Sequence, residues 1–302
     1  MDNLQPFLKW AGGKRQLLPE IRKYYPKKYN TYYEPFVGAG AVLFDLKPAN
    51  AVINDTNKEL INVYKVIKDS IKLEELINDL KKYKNDSDYY YEIRNLDRED
   101  TYKSLEDYKK ASRFIYLNKT CFNGLYRVNS KGQFNVPFGK YKNPDYVNEA
   151  VLRAVHEFLN QNNIKIFNLD FEEVVEDATY GDFVYFDPPY HPVSKTSSFT
   201  SYTDNGFGKE DQERLRDTFE RLYNKGCYVL LSNSDTEFIR EIYSDLKSEG
   251  VTILEVDASR SINSKADKRG KVKEVLIIGD GTKKNKERQG VGETISKIQY
   301  TR

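Results

Sequence analysis

The residues best suited to chemistry in this chain are Asp187-Pro188-Pro189-Tyr190. A carboxylate accepts hydrogen bonds. Two consecutive prolines lack N–H donors and have fixed φ, so they turn the chain and leave carbonyls that accept. The tyrosine adds a flat face. One acceptor carboxylate, one carbonyl and one stacking ring suit the amino group of a planar heterocycle. The bland alternative is a strand end with a Pro-Pro stop and a tyrosine packed on the rim. A lone tetrapeptide does not decide between the two.

Three other stretches carry candidate binding residues. Phe7-Leu8-Lys9-Trp10-Ala11-Gly12-Gly13-Lys14 puts a glycine turn ahead of Leu17, Leu18 and Ile21, which recur at helical spacing. Such a turn opening a helix presents N–H groups, and Lys14 adds a positive charge that would hold a carboxylate or phosphate. An ordinary loop with an exposed lysine is the alternative. In Tyr32-Tyr33-Glu34-Pro35-Phe36-Val37-Gly38-Ala39-Gly40, Gly38 and Gly40 form a turn between a strand end and a helix from Ala41. A second strand, Ala51-Val52-Ile53, ends in Asn54-Asp55. A Gly-x-Gly turn lets a ligand approach the backbone, and an acid after the second strand can take both hydroxyls of a ribose. Leu43 stands where the dinucleotide fingerprint needs its third glycine, so a nucleoside cofactor without pyrophosphate fits better than a nicotinamide dinucleotide. Asp170-Phe171 closes a strand pattern over 164–171. It could meet an adenine by hydrogen bond and ring contact, or simply terminate the strand.

The elements that must hold these residues follow from periodicity. Phe183-Val184-Tyr185-Phe186 reads as a buried strand. It places Asp187 at a strand's carboxyl end, where ligands bind in open α/β sheets. Residues 56–107 are helical in pattern, with Leu60, Ile61, Tyr64, Ile67 and Ile71, then Leu73, Leu76, Ile77 and Leu80, and an interruption at Asp86-Ser87-Asp88. Residues 108–144 hold eight Lys or Arg, no Asp or Glu, and interleaved aromatics. Within them, Leu125–Val128 and Gln133–Val136 flank Asn129-Ser130-Lys131-Gly132, a β-hairpin signal. A basic, aromatic segment of this kind fits a nucleic-acid surface, on which phosphate contacts position and polar side chains specify. Beyond Tyr190, the pattern predicts a loop from His191 to Gly208 containing Phe199, Tyr202 and Phe207. A helix over 211–223, a strand over 227–232 and a helix over 235–247 follow. The remainder reads as a strand over 252–256, a basic loop from Ser259 to Lys273, a last strand over 274–278 and a polar tail over 281–302.

Composition narrows the classes. Charged residues make up 31% of the 302 and the mean hydropathy is −0.74, which predicts a soluble cytoplasmic protein without a membrane span. Two cysteines, Cys121 and Cys227, and two histidines, His156 and His191, give no disulfide framework and no metal site. The net charge is only +2, so a nucleic-acid surface has to come from local clustering.

Taken in order, the motifs Phe7–Lys14, Glu34–Gly40, the insert with Asn123-Gly124-Leu125-Tyr126-Arg127 and Phe134-Asn135-Val136-Pro137-Phe138-Gly139, and Asp187–Tyr190 resemble the Dam-type, alpha-group DNA adenine-N6 methyltransferases. That group includes the enzymes of DpnII-type GATC restriction–modification systems, and the resemblance covers roughly residues 5–280. It implies an α/β, Rossmann-like, seven-stranded S-adenosylmethionine-dependent methyltransferase fold. An inserted, mainly helical target-recognition domain would carry the β-hairpin. The implied catalytic domain is discontinuous, over 1–57 and 164–280, with the recognition domain over 58–163. The implied reaction moves the methyl group of S-adenosyl-L-methionine to N6 of adenine in duplex DNA, in GATC, by base flipping and direct in-line transfer.

By matching position, the resemblance makes Asp187, Pro188, Pro189 and Tyr190 catalytic. It makes Trp10, Ala11, Gly12, Lys14, Glu34, Phe36, Gly38, Gly40, Asp55, Asp170, Phe171 and Asp187 cofactor-binding. Lys9, Lys119, Phe122, Asn123, Leu125, Arg127, Asn135, Pro137 and Tyr141 become DNA contacts. Lys9 and Tyr141 would help read the first base pair, Leu125 and Pro137 the third, and Arg127 a guanine. Asn123 would enter the duplex near the target. Phe122 stands where a well-known relative has a tyrosine, so it can stack but lacks the hydroxyl. The implied partner is double-stranded DNA, with a cognate restriction endonuclease acting independently, no metal and no membrane, and a monomer or weak dimer on DNA. Cytosine-C5 transfer is disfavoured, because it needs a cysteine that usually follows a proline, and Cys121 follows Thr120. Cytosine-N4 transfer, amino-group methylation of RNA or a protein amide, and an inactive DNA-binding regulator on the same scaffold stay open as alternatives.

Overall fold

The computed structural model describes residues 3–10, 12, 14–193, 206–259 and 271–284. Ala11, Gly13, Phe199, Tyr202, most of the predicted loop over 259–273 and most of the tail lie outside the described residues. In chain order the main elements are α1 (Leu18–Ile21), β1 (Tyr32–Glu34), α2 (Ala41–Leu46), β2 (Asn50–Asn54), α3 (Lys58–Lys68), α4 (Ser70–Leu80), α5 (Ser87–Asn95) and α6 (Asp107–Thr120). There follow α7 (Glu149–Gln161), β3 (Asn163–Phe167), α8 (Phe171–Val174), β4 (Phe183–Phe186), α9 (Lys209–Lys225), β5 (Tyr228–Ser234), α10 (Glu237–Ile242), β6 (Thr252–Ser259) and β7 (Lys271–Asp280). The strands form one seven-stranded sheet in the order β3-β2-β1-β4-β5-β7-β6. From the β1/β4 pair the strands run outward as β2 and β3 on one side and β5 on the other, with β7 and then β6 beyond β5; the pair marks the topological switch point of a doubly wound sheet.

The chain divides into two compact units, Met1–Leu18 with Val37–Ala49 and Ile53–Asp170, and Pro19–Phe36 with Asn50–Val52 and Phe171–Arg302. In the second unit, β1, β4 and β5 pair in parallel, with Tyr32 opposite Phe183 and Tyr185 opposite Leu230. β7 then runs antiparallel beside β5, and β6 antiparallel beside β7. All four residues of β4 are buried, as expected of a central strand covered on both faces. Helix α9 lays Leu215, Phe219, Leu222 and Tyr223 into the core shared with Val229, Leu231, Val275 and Ile277, a helical stripe on one face. It stops at Gly226, whose φ of 89° allows its N–H to bond back to Leu222 and Tyr223.

In the first unit, α3, α4, α6 and α7 pack together, and side-chain caps set their starts. Asn57, Asp69, Asp86 and Asn148 each accept from N–H groups of the first turn of α3, α4, α5 and α7. The Asp86-Ser87-Asp88 interruption is therefore a helix start. The acid-free segment 108–144 is not one exposed surface. Arg113, Phe114, Tyr116 and Phe134 are buried. The Arg113 guanidinium lies 2.7 Å from Asp97 and also donates to the carbonyls of Ile93 and Arg94 at the end of α5. The periodicity could not separate these core positions from surface ones, because α6 is buried on nearly every side.

Several boundaries differ from the sequence reading. β6 and β7 are longer than the predicted 252–256 and 274–278, each extending into the predicted loop over 259–273. β3 ends at Phe167, not at Phe171, because the Asn54 side chain takes over as strand partner. Its Nδ2 donates to the Leu169 carbonyl at 3.0 Å, and its Oδ1 accepts the Leu169 N–H at 2.8 Å. Phe171 instead opens α8. The helix predicted over 235–247 is the short α10 followed by a 3₁₀ turn over Asp245–Glu249. The hairpin over 125–136 is reduced to a single bridge, Val128 opposite Phe134, closed by Asn129, whose Oδ1 accepts from the N–H groups of Lys131 and Gln133. No helix among the described residues is long and apolar enough to cross a membrane.

Phe219 is fully buried in the second unit. Phe219→Ala should lower unfolding free energy by about 3–5 kcal/mol in urea denaturation. A loss below about 1 kcal/mol would show that the α9 face is not the core contact described.

Candidate active site

The Asp187–Tyr190 tetrapeptide lies just beyond β4, in the second unit. Asp187 is half-buried, and its Oδ1 accepts the Ser232 hydroxyl at 3.0 Å. Ser232 in turn lies 3.1 Å from the Tyr185 hydroxyl. A serine has one proton, and a carboxylate can only accept, so Tyr185 must donate to Ser232. The Tyr190 hydroxyl donates to Glu274 Oε2 at 2.7 Å. Burial, with Asp187 and Glu274 nearby, raises the Tyr190 hydroxyl well above its ordinary pKa, so it stays protonated. The Pro189 carbonyl accepts from the buried Gln212 amide at 2.9 Å. Asn233 links Gln212 to the His191 N–H, and Ser234 donates to the His191 carbonyl at 2.6 Å. None of these bonds takes the Pro188 carbonyl.

Two expected cofactor residues of this unit lie on β1 and just after it. Glu34 is buried and accepts the Tyr32 hydroxyl at 2.8 Å. Phe36, Phe171 and Phe207 form a ring cluster with centroids 5.6–5.8 Å apart. Arg214 lies over the Phe171 ring at 5.0 Å.

In the first unit, the glycine turn between β1 and α2 packs on Trp10. Gly38 has φ of 49°, and a Cβ there would come within 2.8 Å of the indole. At Gly40, with φ of 74°, a Cβ would meet Phe44 and the Tyr64 hydroxyl at 2.8 Å. These glycines are needed by the protein's own side chains before any ligand arrives. Trp10 also stacks with Phe114 and Tyr126. Asp55 follows β2, and its two oxygens accept from the N–H groups of Gly38 (3.1 Å) and Asn57 (2.8 Å). Burial pushes this carboxyl up to about 6, against the pull of those two bonds. Asp170 lies half-buried just after Asn168 and Leu169, which Asp55 and Asn54 hold. Lys14 is buried, opens a three-residue 3₁₀ turn, and donates to the Gly12 carbonyl at 2.8 Å. The helix expected after the glycine turn is only α1, one turn farther on, so the lysine charge and not a helix end is what this segment offers.

The expected DNA contacts of the first unit form two groups. Lys9 sits 4.1 Å from the Tyr141 ring centre. Asn118 ties its backbone down, accepting from the Lys9 N–H and donating to the carbonyls of Lys9 and Gly124. Asn123, at φ 55°, and Gly124 follow the exposed Phe122, which is 44% accessible. Burial, with Lys9 and Arg15 close by, lowers the Lys119 ammonium pKa. In the second group, exposed Arg127 donates from Nε to Asn135 Oδ1 at 2.7 Å, and from Nη2 to the Asn135 carbonyl at 3.2 Å. Leu125 is half-buried and Pro137 exposed.

Residues 10–262 match the family described as D12 class N6 adenine-specific DNA methyltransferase. The chain belongs to that family. Type II methyltransferase M1.LlaDCHI of Lactococcus lactis subsp. cremoris is 48% identical, over 92% of this chain and 96% of that protein. Type II methyltransferase M.MjaIII of Methanocaldococcus jannaschii is 42% identical, over 91% and 99%. DNA adenine methylase of Escherichia coli K12 is 36% identical, over 92% and 96%. The reaction class expected from the motifs holds: the chain is an adenine-N6 DNA methyltransferase.

Burial pushes the Cys121 and Cys227 thiols up to about 12, so neither supplies the thiolate that cytosine-C5 transfer requires. Among the described residues no three His, Cys, Asp or Glu gather to hold a metal ion. The sequence reading missed Ser232, Gln212, Glu274 and Asn118. Gln212 and Asn118 did leave a signal, being polar residues on otherwise apolar helix faces. A pH titration of Asp55 by carbon NMR should show a midpoint near 6. A midpoint at the ordinary carboxylate value would disprove its buried setting.

Proposed function

We propose that this methyltransferase takes S-adenosylmethionine as methyl donor and modifies the adenine of GATC in duplex DNA after flipping it from the stack. The observation that carries the reading is the anchored Asp187–Tyr190 segment at the end of β4. A base inside a duplex is out of reach of a protein site, so the target has to leave the stack. Tyr190 then stacks on the adenine ring. Asp187 accepts one N6 hydrogen and the Pro188 carbonyl the other. Two acceptors draw the nitrogen lone pair out of conjugation and aim it, which is catalysis by positioning and electrostatics. Asp187 or water takes the proton released afterwards.

The residues present fit the cofactor. Each Asp55 oxygen uses one lone pair on a backbone N–H and keeps another for a ribose hydroxyl. Trp10, Gly38, Gly40 and the Lys14 charge serve its methionine end, and Asp170 and Phe171, with Phe36, serve its adenine. When bound, the cofactor supplies an electrophilic methyl group on a sulfonium. Protonated Asp55 has one oxygen fewer for a ribose donor. Cofactor affinity should therefore fall as pH drops through about 6 and stay level above it; isothermal titration at several pH values checks this.

Residues 58–163 act as the recognition domain. Arg127, held by Asn135, reads a guanine, and Lys9 with Tyr141 serves the first base pair. Arg127→Ala should reduce discrimination at one pair by about 1–3 kcal/mol. The relatives named as Type II methyltransferases favour a setting beside a restriction endonuclease. Labelled S-adenosylmethionine offered with a GATC duplex and one with swapped central bases tests the whole reading. N6-methyladenine on GATC alone is expected, and Asp187→Ala should abolish it while retaining cofactor binding. Equal label on both duplexes would refute the GATC assignment.

A further inference from the structure

We propose that Glu274 is a positioning residue for methyl transfer, acting through Tyr190 to fix the plane on which the target adenine stacks. This inference rests on the stacking role given to Tyr190 above.

The geometry begins with sheet register. β5 and β7 pair antiparallel, with Ser232 opposite Leu276 and Ser234 opposite Glu274. Side chains alternate along a strand and opposed residues share a face. Ser232, Ser234 and Glu274 therefore point to one side of the sheet. Leu230, two residues before Ser232, lies opposite Tyr185 on β4, which brings Tyr185 to the same side. From this face three side chains reach the catalytic segment. Ser232 donates to Asp187, Ser234 donates to the His191 carbonyl, and Glu274 accepts from Tyr190.

Glu274 accepts from the hydroxyl of the stacking ring at 2.7 Å. A tyrosine ring has two rotatable bonds and one polar handle, at the end far from the backbone. Holding that handle with a carboxylate, a charge-assisted bond, removes the freedom that would let the ring tilt. A stacking platform needs a fixed plane, because small errors in the approach of the reacting nitrogen are costly in rate. Glu274 also brings a second negative charge to the ring that Asp187 already faces. Like charges this close oppose one another.

The test is a double-mutant cycle in the full chain. Glu274→Ala, Glu274→Gln, Tyr190→Phe and the double variant Glu274→Ala/Tyr190→Phe are compared with the parent in four measurements. These are kcat on a GATC duplex, KM for that duplex, Kd for S-adenosylmethionine and the thermal midpoint. Glu274→Ala should lower kcat about tenfold, with cofactor Kd and midpoint unchanged. Glu274→Gln should keep most of kcat, since its amide oxygen still accepts. Tyr190→Phe should match Glu274→Ala, and the double variant should fall no further, the signature of residues acting as one unit. Parent-like kcat in Glu274→Ala, additive losses in the double variant, or a kcat loss that only follows a fallen midpoint would overturn the proposal. If Glu274→Ala does not fold, the comparison runs on the other singles. Full kcat in Glu274→Gln with reduced kcat in Tyr190→Phe supports the role, and parent-like kcat in both overturns it. Tyr190→Ala separates the two layers. Undiminished transfer there would bring down the stacking reading itself, whereas lost transfer there beside an unaffected Glu274→Ala would remove only the role of Glu274.

Discussion

A half-buried carboxylate must be met by donors, and Asp187 shows how far that requirement reaches. Its first donor is Ser232, and Ser232 spends its only proton on it. The fully buried Tyr185 then has to turn its own proton toward Ser232. One carboxylate thus orders two neighbours. The bonds that follow through Gln212, Asn233 and Ser234 extend the same order to Pro189 and His191. The strands are what make this possible, since the donors come from β4, β5 and α9, three elements distant in sequence.

That distance explains what the sequence could and could not reveal. Asp187-Pro188-Pro189-Tyr190 was legible because its residue types and its place after an apolar run are local. The strand ends at Glu34, Asn54 and Phe186 were legible for the same reason. The support behind them was not. Ser232 and Glu274 look like ordinary strand-end polar residues until register sets them beside β4. The glycines at 38 and 40 were expected, but their reason lies in Trp10, Phe44 and Tyr64. Asn54 likewise read as the end of a strand, whereas its amide imitates a strand and cuts β3 short.

The helical unit shows the same contrast. Its lack of acids over 108–144 suggested one basic face. Folding gives those cations different roles. Arg113 closes the end of α5 from within the core, while Arg127 stands exposed with its fork oriented by Asn135. Charge counting cannot tell the two apart, since only packing decides which arginine is desolvated. Asn118 does comparable work without charge, drawing the N-terminal segment and the Asn123-Gly124 turn to one helix face.

Trp10 is the chain's single tryptophan, and it rests on the Gly38 turn beside the rings of Phe114 and Tyr126. Light absorbed selectively by indole is therefore absorbed at one place only. Its emission is a built-in optical gauge of that turn, readable in the unmodified protein despite 24 tyrosines elsewhere.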